Sequence, residues 1–233
     1  MLYIVSTPIG NLEDITLRAL KTLFSVDLIY CEDTRKTLFL LNHFKTPEQN
    51  IPLLLSFYEE NELKRIPEVI EKLTGGANVA LVTNAGTPTI SDPGFKLIRE
   101  CRQKGIKVVS VPGASAVTAA LAVSGLPTDK FAFIGFLPNK SSKKLKLFNQ
   151  ILESEKIISS TILFFESPFR LVKSLGDLKS VFGDIEIVIC RELTKVFEEV
   201  AKEKISVFTQ KYSQTAPKGE FVILFNISSC LET

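Results

Sequence analysis

Residues 78–111 read NVALVTNAGTPTISDPGFKLIRECRQKGIKVVSV, a stretch in which the side-chain pattern changes twice. The apolar runs Asn78–Thr83 and Lys107–Val111 predict β-strands, and the amphipathic segment Gly94–Lys104 between them predicts a helix. The connection after the first strand is rich in glycine, proline and short polar side chains, a composition typical of a binding loop. The stretch therefore predicts a βαβ unit with a binding loop at the carboxyl end of its first strand.

The same alternation extends through the first half of the chain. Further strands are predicted at Leu2–Ser6, Asp27–Cys31 and Leu53–Phe57, and helices at Thr34–Phe44, Glu60–Leu73 and Gly113–Val123. Thr16 is predicted to cap another helix. The expected buried faces of these helices contain Leu17, Leu20, Leu23 and Phe24 after Thr16, and Leu63, Ile66, Ile70 and Leu73 before the stop at Gly75-Gly76. Regular alternation of this kind predicts an α/β domain with a mostly parallel sheet.

Turn-forming residues at Ser124–Thr128 interrupt the pattern and predict a domain boundary. We therefore expect an N-terminal α/β domain at residues 1–124 and a C-terminal α/β domain with a mixed sheet at residues 125–233. In the second domain, strands are predicted at Phe131–Phe136, Thr161–Phe165, Ile185–Cys190 and Phe221–Ile227, with helices near Ser142–Leu152 and Phe169–Val181.

The composition is that of an ordinary globular protein, with 233 residues, 45% hydrophobic and 23% charged. No apolar run approaches the ~20 residues of a membrane span, and the N-terminus lacks the features of a signal peptide, so we expect a cytoplasmic protein. The four cysteines form no CxxC pair, which argues against a zinc or thioredoxin-type site, and no metal is expected.

Several common catalytic motifs are absent from the sequence. The chain contains neither GxGxxG nor GxxxxGK[ST], and its single histidine, His43, excludes HExxH and argues against Ser-His-Asp catalysis. His43 itself is predicted to be a packing or capping residue. Because acid–base chemistry at neutral pH is poorly supplied, a reaction in which a cofactor brings its own activation fits better.

Two sets of strand-end motifs indicate where ligands bind. The segments Thr7–Leu12, Asn84–Gly94 and Pro112–Ala116 follow predicted parallel strands and together predict a pocket at one sheet edge. The segments Cys31–Thr37 and Glu166–Arg170, like Arg191–Lys195, each place a carboxylate beside a cation. They predict either a polar cleft between the two halves or ordinary surface ion pairs.

A cluster of lysines lies early in the second half of the chain. It suits an RNA phosphate backbone or, equally, a solvated helix face. Its members are Lys140, Lys143, Lys144 and Lys146.

These motifs together resemble the ribosomal RNA small subunit methyltransferase I family of the tetrapyrrole methylase (class III) superfamily. The resemblance spans essentially the whole chain. It is carried by Thr7–Leu12, Asp14–Leu20, Cys31–Arg35, Ala85–Pro88, Ile90–Gly94, Pro112–Ser115, Ser124–Asp129, Glu166–Pro168, Arg191–Lys195 and Lys218–Val222. At two positions the chain departs from the family, with Asn84 in place of the usual aspartate and Phe169 in place of the usual histidine.

The resemblance implies two α/β domains with S-adenosylmethionine in the cleft between them, and a homodimer. It implies 2′-O-methylation of a cytidine ribose in the decoding region of small-subunit ribosomal RNA. We expect the RNA to be methylated within the assembled small subunit, and free RNA is the alternative substrate. By the same likeness the residues that contact the cofactor are Pro8, Ile9, Gly86, Thr87, Ser115, Ala116, Phe165 and Lys218.

Methyl transfer to a ribose hydroxyl needs an aligned oxygen and benefits from a proton acceptor. We hypothesise that Glu166 or Glu192 is this acceptor, with Lys195 or Arg191 as an anchor for phosphate or hydroxyl. Two other functions stay open. One is carbon methylation of a tetrapyrrole precursor in the same cofactor cleft, and the other is a non-enzymatic, ribosome-associated RNA-binding module.

Overall fold

The computed structural model describes residues 1–227, and the chain divides into two compact units. The first unit is Met1–Ser115, and the second begins at Ala116. This division falls before the boundary expected after residue 124, because helix α5 (Ala116–Val123) packs against the last strand of the second unit. The tight turn at Ser124–Thr128 therefore lies inside the second unit.

The first unit is built around a five-stranded sheet in the order β3-β2-β4-β1-β5, in which every pair of neighbours is parallel. Its elements are β1 (Leu2–Val5), α1 (Leu17–Leu23), β2 (Leu28–Cys31), α2 (Thr34–Phe44), β3 (Leu53–Ser56), α3 (Glu62–Thr74), β4 (Val79–Val82), α4 (Phe95–Gln103) and β5 (Val108–Val111).

Alternate residues of these strands point to two separate cores. Leu2 and Ile4 of β1 pack into one core with side chains of α3 and α4, whereas Val5 packs into the other with side chains of α1 and α2. Because side chains alternate across a strand, an apolar run covered on both faces is what a buried parallel sheet requires. The first unit thus has helices on both faces of its sheet.

In two helices, the first residue of the predicted buried face is exposed instead. Thr16 caps α1 as predicted, since its Oγ1 accepts a hydrogen bond from the backbone N–H of Ala19 at 3.0 Å. However, Leu17 is exposed, because the buried side of α1 is centred on Ala19 and Leu23, about 200° around the helix from Leu17. Leu63 of α3 is exposed in the same way, while Ile70 and Leu73 are buried.

The second unit contains a five-stranded mixed sheet in the order β6-β7-β10-β8-β9. Only the β6–β7 pair is parallel. After α5, its elements are β6 (Phe131–Phe136), α6 (Ser141–Glu155), β7 (Thr161–Glu166), α7 (Leu171–Phe182), β8 (Glu186–Arg191), β9 (Glu199–Lys204), α8 (Ile205–Gln214) and β10 (Phe221–Phe225). Helices α6, α7 and α8 contribute to one large core on one face of this sheet.

Strand β9 and helix α8 were not predicted from the sequence. The strand Glu199–Lys204 is mostly charged and exposed, and it pairs only with β8 at the sheet edge. An edge strand held by its backbone ladder needs no apolar run, so hydrophobic pattern alone misses it. Strand β10 ends at Phe225, two residues earlier than predicted.

Three of the cysteines are buried thiols, as expected of core residues, and burial raises the pKa of Cys190 to about 12. Cys230 lies outside the described residues. Within residues 1–227, no helix combines the length and the apolar character that a membrane span requires.

Candidate functional site

The topology of the first unit creates a natural place for a ligand at the carboxyl ends of β1 and β4. These strands are neighbours, but helix α1, which follows β1, packs on one face of the sheet, and helix α4, which follows β4, packs on the other. Loops that lead to opposite faces of a sheet open a crevice between them, which is where ligands bind in open α/β sheets. The three loops singled out in the sequence follow β1, β4 and β5, and thus meet at this edge.

Backbone hydrogen bonds tie the first two loops together. The N–H of Thr7 donates to the carbonyl of Gly86 at 2.9 Å, and the N–H of Gly86 donates to the carbonyl of Thr7 at 3.0 Å. Gly86 has φ +83°, a conformation that L side chains rarely adopt, and a Cβ there would sit 3.4 Å from Cγ2 of Ile9. Glycine is therefore favoured here by its backbone conformation, because a Cβ would make only ordinary van der Waals contact with Ile9.

Short hydroxyl side chains tie the third loop to the other two. The Thr87 hydroxyl donates to the carbonyl of Ala114 at 3.2 Å, so its single proton is engaged and Ser6 is the donor in the 2.8 Å Ser6–Thr87 bond. The loops approach so closely that a Cβ on Gly113 would lie 3.0 Å from the Cβ of Ser6. Ser6 was missed by sequence reasoning, because a serine at the end of a strand carries no distinctive signal.

The three loops contain five of the predicted cofactor residues, namely Pro8, Ile9, Gly86, Thr87 and Ser115. Pro8 is buried, and the side chain of Ile9 lies against Gly86 in the loop after β4. Ser115 follows Ala114 directly and ends the first unit, and Ala116 begins α5 in the second. Because the Thr87 hydroxyl is engaged within the cluster, Thr87 offers a ligand its backbone and methyl group.

An acidic group borders the same edge at the ends of β2 and β4. The Glu32 carboxylate accepts hydrogen bonds from the Thr83 hydroxyl at 3.0 Å and the Asn84 N–H at 3.1 Å. Burial raises the pKa of Asp92 to about 6; a hydrogen bond with Thr83 opposes the rise, and the charge of Glu32 adds to it. The Oδ1 atom of Asn84 is buried and has no hydrogen-bond partner among residues 1–227, so it is an acceptor that a ligand could satisfy.

The backbone of the β4–α4 loop is strained. Thr89 and Ser91 both have positive φ, at 77° and 64°. Such conformations persist only where the surrounding structure enforces them, and they cluster at ligand-binding sites.

In the second unit, the predicted charged residues gather at one end of the sheet. Phe221, the first residue of β10, is in register with Glu166 at the end of β7 on one side and with Arg191 at the end of β8 on the other. The motifs after β7 and β8 therefore leave the sheet at the same end, separated by one strand.

Glu166 is enclosed at this sheet end. Its side chain has no exposed surface, and its carboxylate binds Arg170 at 2.6 Å, the Ser174 hydroxyl at 2.5 Å and the Ser167 N–H at 2.8 Å. Ser174 in turn accepts a hydrogen bond at 2.9 Å from Nζ of Lys144. The geometry makes Glu166 part of a buried network rather than a group presented to solvent.

The same network changes the interpretation of the lysine cluster. Lys144 is 1% exposed and forms an ion pair with Asp177 at 2.9 Å, so it faces the core of the unit rather than an RNA phosphate. Lys140, Lys143 and Lys146 are exposed.

Glu192 lies in a more open setting than Glu166, with about a fifth of its side chain exposed. Its Oε1 accepts hydrogen bonds from Nζ of Lys195 and from the Glu220 N–H, both at 2.9 Å. Desolvation opposes ionisation of Glu192, but the hydrogen bonds from Lys195 and Glu220 outweigh it, and the pKa is lowered below its ordinary value. Glu192 is thus a carboxylate near neutral pH.

The turn before β10 leaves space for the side chain of Glu192 because it contains a glycine, Gly219. Gly219 has φ +96°, and a Cβ there would collide with Cγ of Glu192 at 2.5 Å. Glu192 itself has φ +50°. Gly219 was not identified in the sequence as a site residue, although the segment Lys218–Val222 that contains it was.

The two remaining predicted contacts lie near these groups. Phe165 is half-buried, with its ring 4.8 Å from that of Phe133 and 5.4 Å from that of Phe136. Lys218 is exposed, and its carbonyl accepts a hydrogen bond from Nε of Arg191 at 2.7 Å. The described part of the chain places no group of three or more His, Cys, Asp or Glu side chains where it could hold a metal ion.

Comparisons with known proteins give a family model and named relatives that match this chain. The model of the family Tetrapyrrole (Corrin/Porphyrin) Methylases matches residues 1–208. A curated relative from Thermotoga maritima, named ribosomal RNA small subunit methyltransferase I, is 47% identical over 225 residues, which is 97% of both chains. A relative of the same name from Vibrio cholerae is 46% identical over 96% of this chain and 76% of its own.

Solved structures support the fold. Diphthine synthase has a TM-score of 0.72 at 16% identity, with 97% of this chain and 89% of that chain covered. A cobalt precorrin-4 methyltransferase has a TM-score of 0.64 at 18% identity, with 96% and 93% covered. At these identities the likeness shows the fold alone, and it confirms the tetrapyrrole methylase-like α/β class predicted from the sequence.

Proposed function

The chain belongs to the ribosomal RNA small subunit methyltransferase I family of the tetrapyrrole methylases, and from this premise we propose that it methylates small-subunit ribosomal RNA with S-adenosylmethionine. We propose further that the acceptor is the 2′-hydroxyl of a cytidine ribose in the decoding region. The chain is a methyltransferase by its family. The observation that carries the proposed substrate is the 47% identity with a relative of that name, which extends over 97% of both chains.

The loop cluster of the first unit fits the proposed cofactor. An extended ligand with amine, hydroxyl and carboxylate groups needs a surface of accessible backbone, and the loops after β1, β4 and β5 provide small residues and main-chain groups there. The buried Oδ1 of Asn84, which accepts no hydrogen bond from the described part of the chain, offers an acceptor beside them. We propose that Pro8, Ile9, Gly86, Thr87, Ser115 and Ala116 hold the cofactor, and Phe165 and Lys218 stay predicted contacts from the second unit.

When bound, S-adenosylmethionine supplies a methyl group attached to a positively charged sulfur, and the sulfur leaves as a neutral thioether without being protonated. The residues of this chain must then orient the hydroxyl, accept its proton and exclude water. Of the two hypothesised acceptors we choose Glu192, because it is ionised and partly exposed, whereas the carboxylate of Glu166 is enclosed by three donors. Lys195, bound to Glu192, orients this carboxylate and supplies a cation for phosphate.

The direct test uses methyl-labelled S-adenosylmethionine with small ribosomal subunits that lack the modification, and separately with bare RNA. Nuclease digestion and mass spectrometry locate the label, which we expect on a cytidine ribose. A higher yield on subunits than on bare RNA would identify the assembled particle as the substrate. Cofactor binding without RNA labelling would favour tetrapyrrole methylation, and RNA binding without cofactor binding would favour the non-enzymatic module.

The role of Glu192 is tested by Glu192→Gln, for which we expect turnover to fall by about 10²-fold because the amide cannot accept a proton. Affinity for S-adenosylmethionine, measured by calorimetry, should be nearly unchanged. Glu220→Gln is the matched control, since Glu220 is exposed and binds the same Lys195 at 2.8 Å. Full turnover in Glu192→Gln would remove Glu192 from the mechanism.

We propose also that the enzyme acts in the cytoplasm, where its ribosomal substrate is found, and that it is a homodimer, as the family resemblance implies. Sedimentation equilibrium of the purified chain measures the second statement directly. A monomer at the concentrations of the methylation assay would contradict it.

A further inference from the structure

Besides Phe136 at the end of β6, two exposed phenylalanines lie in loops at the end of the second sheet that carries Glu192. Phe169 is 98% exposed and follows β7 by three residues, and Phe197 is 72% exposed and precedes β9 by two residues. Because Glu199 at the start of β9 pairs with Arg191 at the end of β8, both aromatic residues belong to loops at this one sheet end. Large apolar rings exposed at one end of a sheet are candidates for contact with a partner.

The loop that carries Phe169 is held in place. The Glu166 carboxylate binds the Ser167 N–H at 2.8 Å and the Arg170 guanidinium at 2.6 Å, one on each side of Phe169. Nη1 of Arg170 also donates to the carbonyl of Leu137 at 3.0 Å. Glu166 therefore positions this loop with the ring of Phe169 outward.

The loop that carries Phe197 is also ordered by its own hydrogen bonds. The Lys195 N–H donates to the carbonyl of Glu192 at 3.0 Å, and the Glu198 N–H donates to the carbonyl of Lys195 at 3.0 Å. The Thr194 N–H donates to the Glu198 carboxylate at 2.5 Å, and Thr194 has φ +65°. A preformed loop presents its aromatic side chain with little further loss of conformational entropy on binding.

The chemistry of the proposed substrate decides which partner we assign to these rings. Their sheet end also carries Glu192 and charged side chains of both signs: Arg170 pairs with Glu166, Lys195 pairs with Glu192 and Glu220, and Lys218 is exposed. RNA that reaches Glu192 lies beside the two loops and the cation of Lys218. Aromatic rings beside a cation bind single-stranded nucleic acid by stacking on bases and neutralising phosphates.

We propose that Phe169 and Phe197 stack on unpaired bases of the RNA that flank the nucleotide presented to Glu192. This inference rests on the proposed function and specifies how the substrate is held. Glu166 is on this account a positioning residue for Phe169, which agrees with its burial.

The test compares leucine and tyrosine at both positions. Phe169→Leu and Phe197→Leu keep apolar bulk but lose the aromatic face, and each should weaken binding of a short single-stranded RNA containing 2-aminopurine by about tenfold. They should also remove the stacking-induced quenching of its fluorescence. Phe169→Tyr and Phe197→Tyr should retain both. Phe39→Leu is the matched control, because Phe39 is a 65% exposed ring on α2 of the first unit.

The outcomes separate this inference from the proposed function. In methyl transfer to small subunits, the leucine variants should raise KM for the particle about tenfold, with cofactor affinity unchanged. If the wild type methylates RNA and the leucine variants bind and methylate it equally well, the stacking role is wrong and the proposed function stands. If the wild type quenches 2-aminopurine fluorescence but methylates no RNA, the stacking role stands and the proposed function is wrong. A loss of dimers in the leucine variants, with RNA affinity intact, would assign the rings to a second copy and contradict the proposal.

Discussion

The ends of the two sheets carry their polar groups in different ways. In the first unit, backbone hydrogen bonds between Thr7 and Gly86 and the short hydroxyls of Ser6 and Thr87 hold three loops together. In the second unit, long charged side chains such as Glu166 and Glu192 dominate, each bound to a cation and to backbone N–H groups. The first arrangement suits a small ligand of fixed shape, and the second suits a large, charged one.

The largest expected effect is a difference in stability between variants of Glu166 and Glu192, the two carboxylates of the second unit. We expect Glu166→Gln to lower the free energy of unfolding by about 3 kcal/mol, because it removes one partner of a buried ion pair. Glu192→Gln should cost less than about 1 kcal/mol, since Glu192 is partly exposed. Urea denaturation followed by circular dichroism measures both, and equal losses would contradict the distinction.

The dependence of the first unit on its backbone can be tested at Gly94, which begins α4. A Cβ there would lie 2.6 Å from Cδ2 of buried Leu81, and φ is +125°. Gly94→Ala should therefore destabilise the protein by about 2–3 kcal/mol. The control is Gly105→Ala, where φ is +69° but no atom lies within 4 Å, and a loss of about 1 kcal/mol is expected. If both variants lose the same stability in urea, crowding at Gly94 is not the cause.

A smaller effect is expected from the hydroxyl that joins the loops of the first unit. Thr87→Val keeps the shape of the side chain but removes its bonds to Ser6 and Ala114, which should cost about 1–2 kcal/mol. Affinity for S-adenosylmethionine, measured by calorimetry, should fall several-fold because the loops separate more easily. Thr87→Ser retains the hydroxyl and should behave like the wild type. An unchanged cofactor affinity in Thr87→Val would show that the loops keep their places without it.

The smallest effect is a pH dependence of stability that arises at Asp92. Its pKa is raised from 3.8 to about 6, so between pH 4 and 6 the folded state keeps a proton that the unfolded chain releases. Stability contributed by this group is therefore present at low pH and is lost as pH rises through that window. Asp92→Asn should flatten the dependence and add roughly 1 kcal/mol at pH 7, which is less than the full shift would give because Asp92 is partly exposed to solvent. Asp14→Asn, at an exposed carboxylate, should leave it unchanged, and thermal unfolding at several pH values measures both.

The hydrophobic pattern of the sequence predicted helices and strands best where the periodic apolar residues are also buried in the structure. The run Asn78–Thr83 became β4, and the loop after it does lie at the sheet edge predicted for a ligand. Strand β9 was missed because its side chains are charged and only its backbone is paired. Leu17 was placed on the wrong face because α1 has only seven residues and its few apolar side chains do not define a direction.

The sequence by itself determined the α/β class and the family, because strand-end motifs such as Ala85–Pro88 and Arg191–Lys195 are local and specific. Only the tertiary structure distinguished Glu166 from Glu192, since the same residue type after a strand is enclosed in one case and open in the other. Burial and hydrogen-bond partners depend on residues far away in the chain: Ser174 and Lys144 enclose Glu166, and Gly219 makes room for Glu192. No local pattern contains that information.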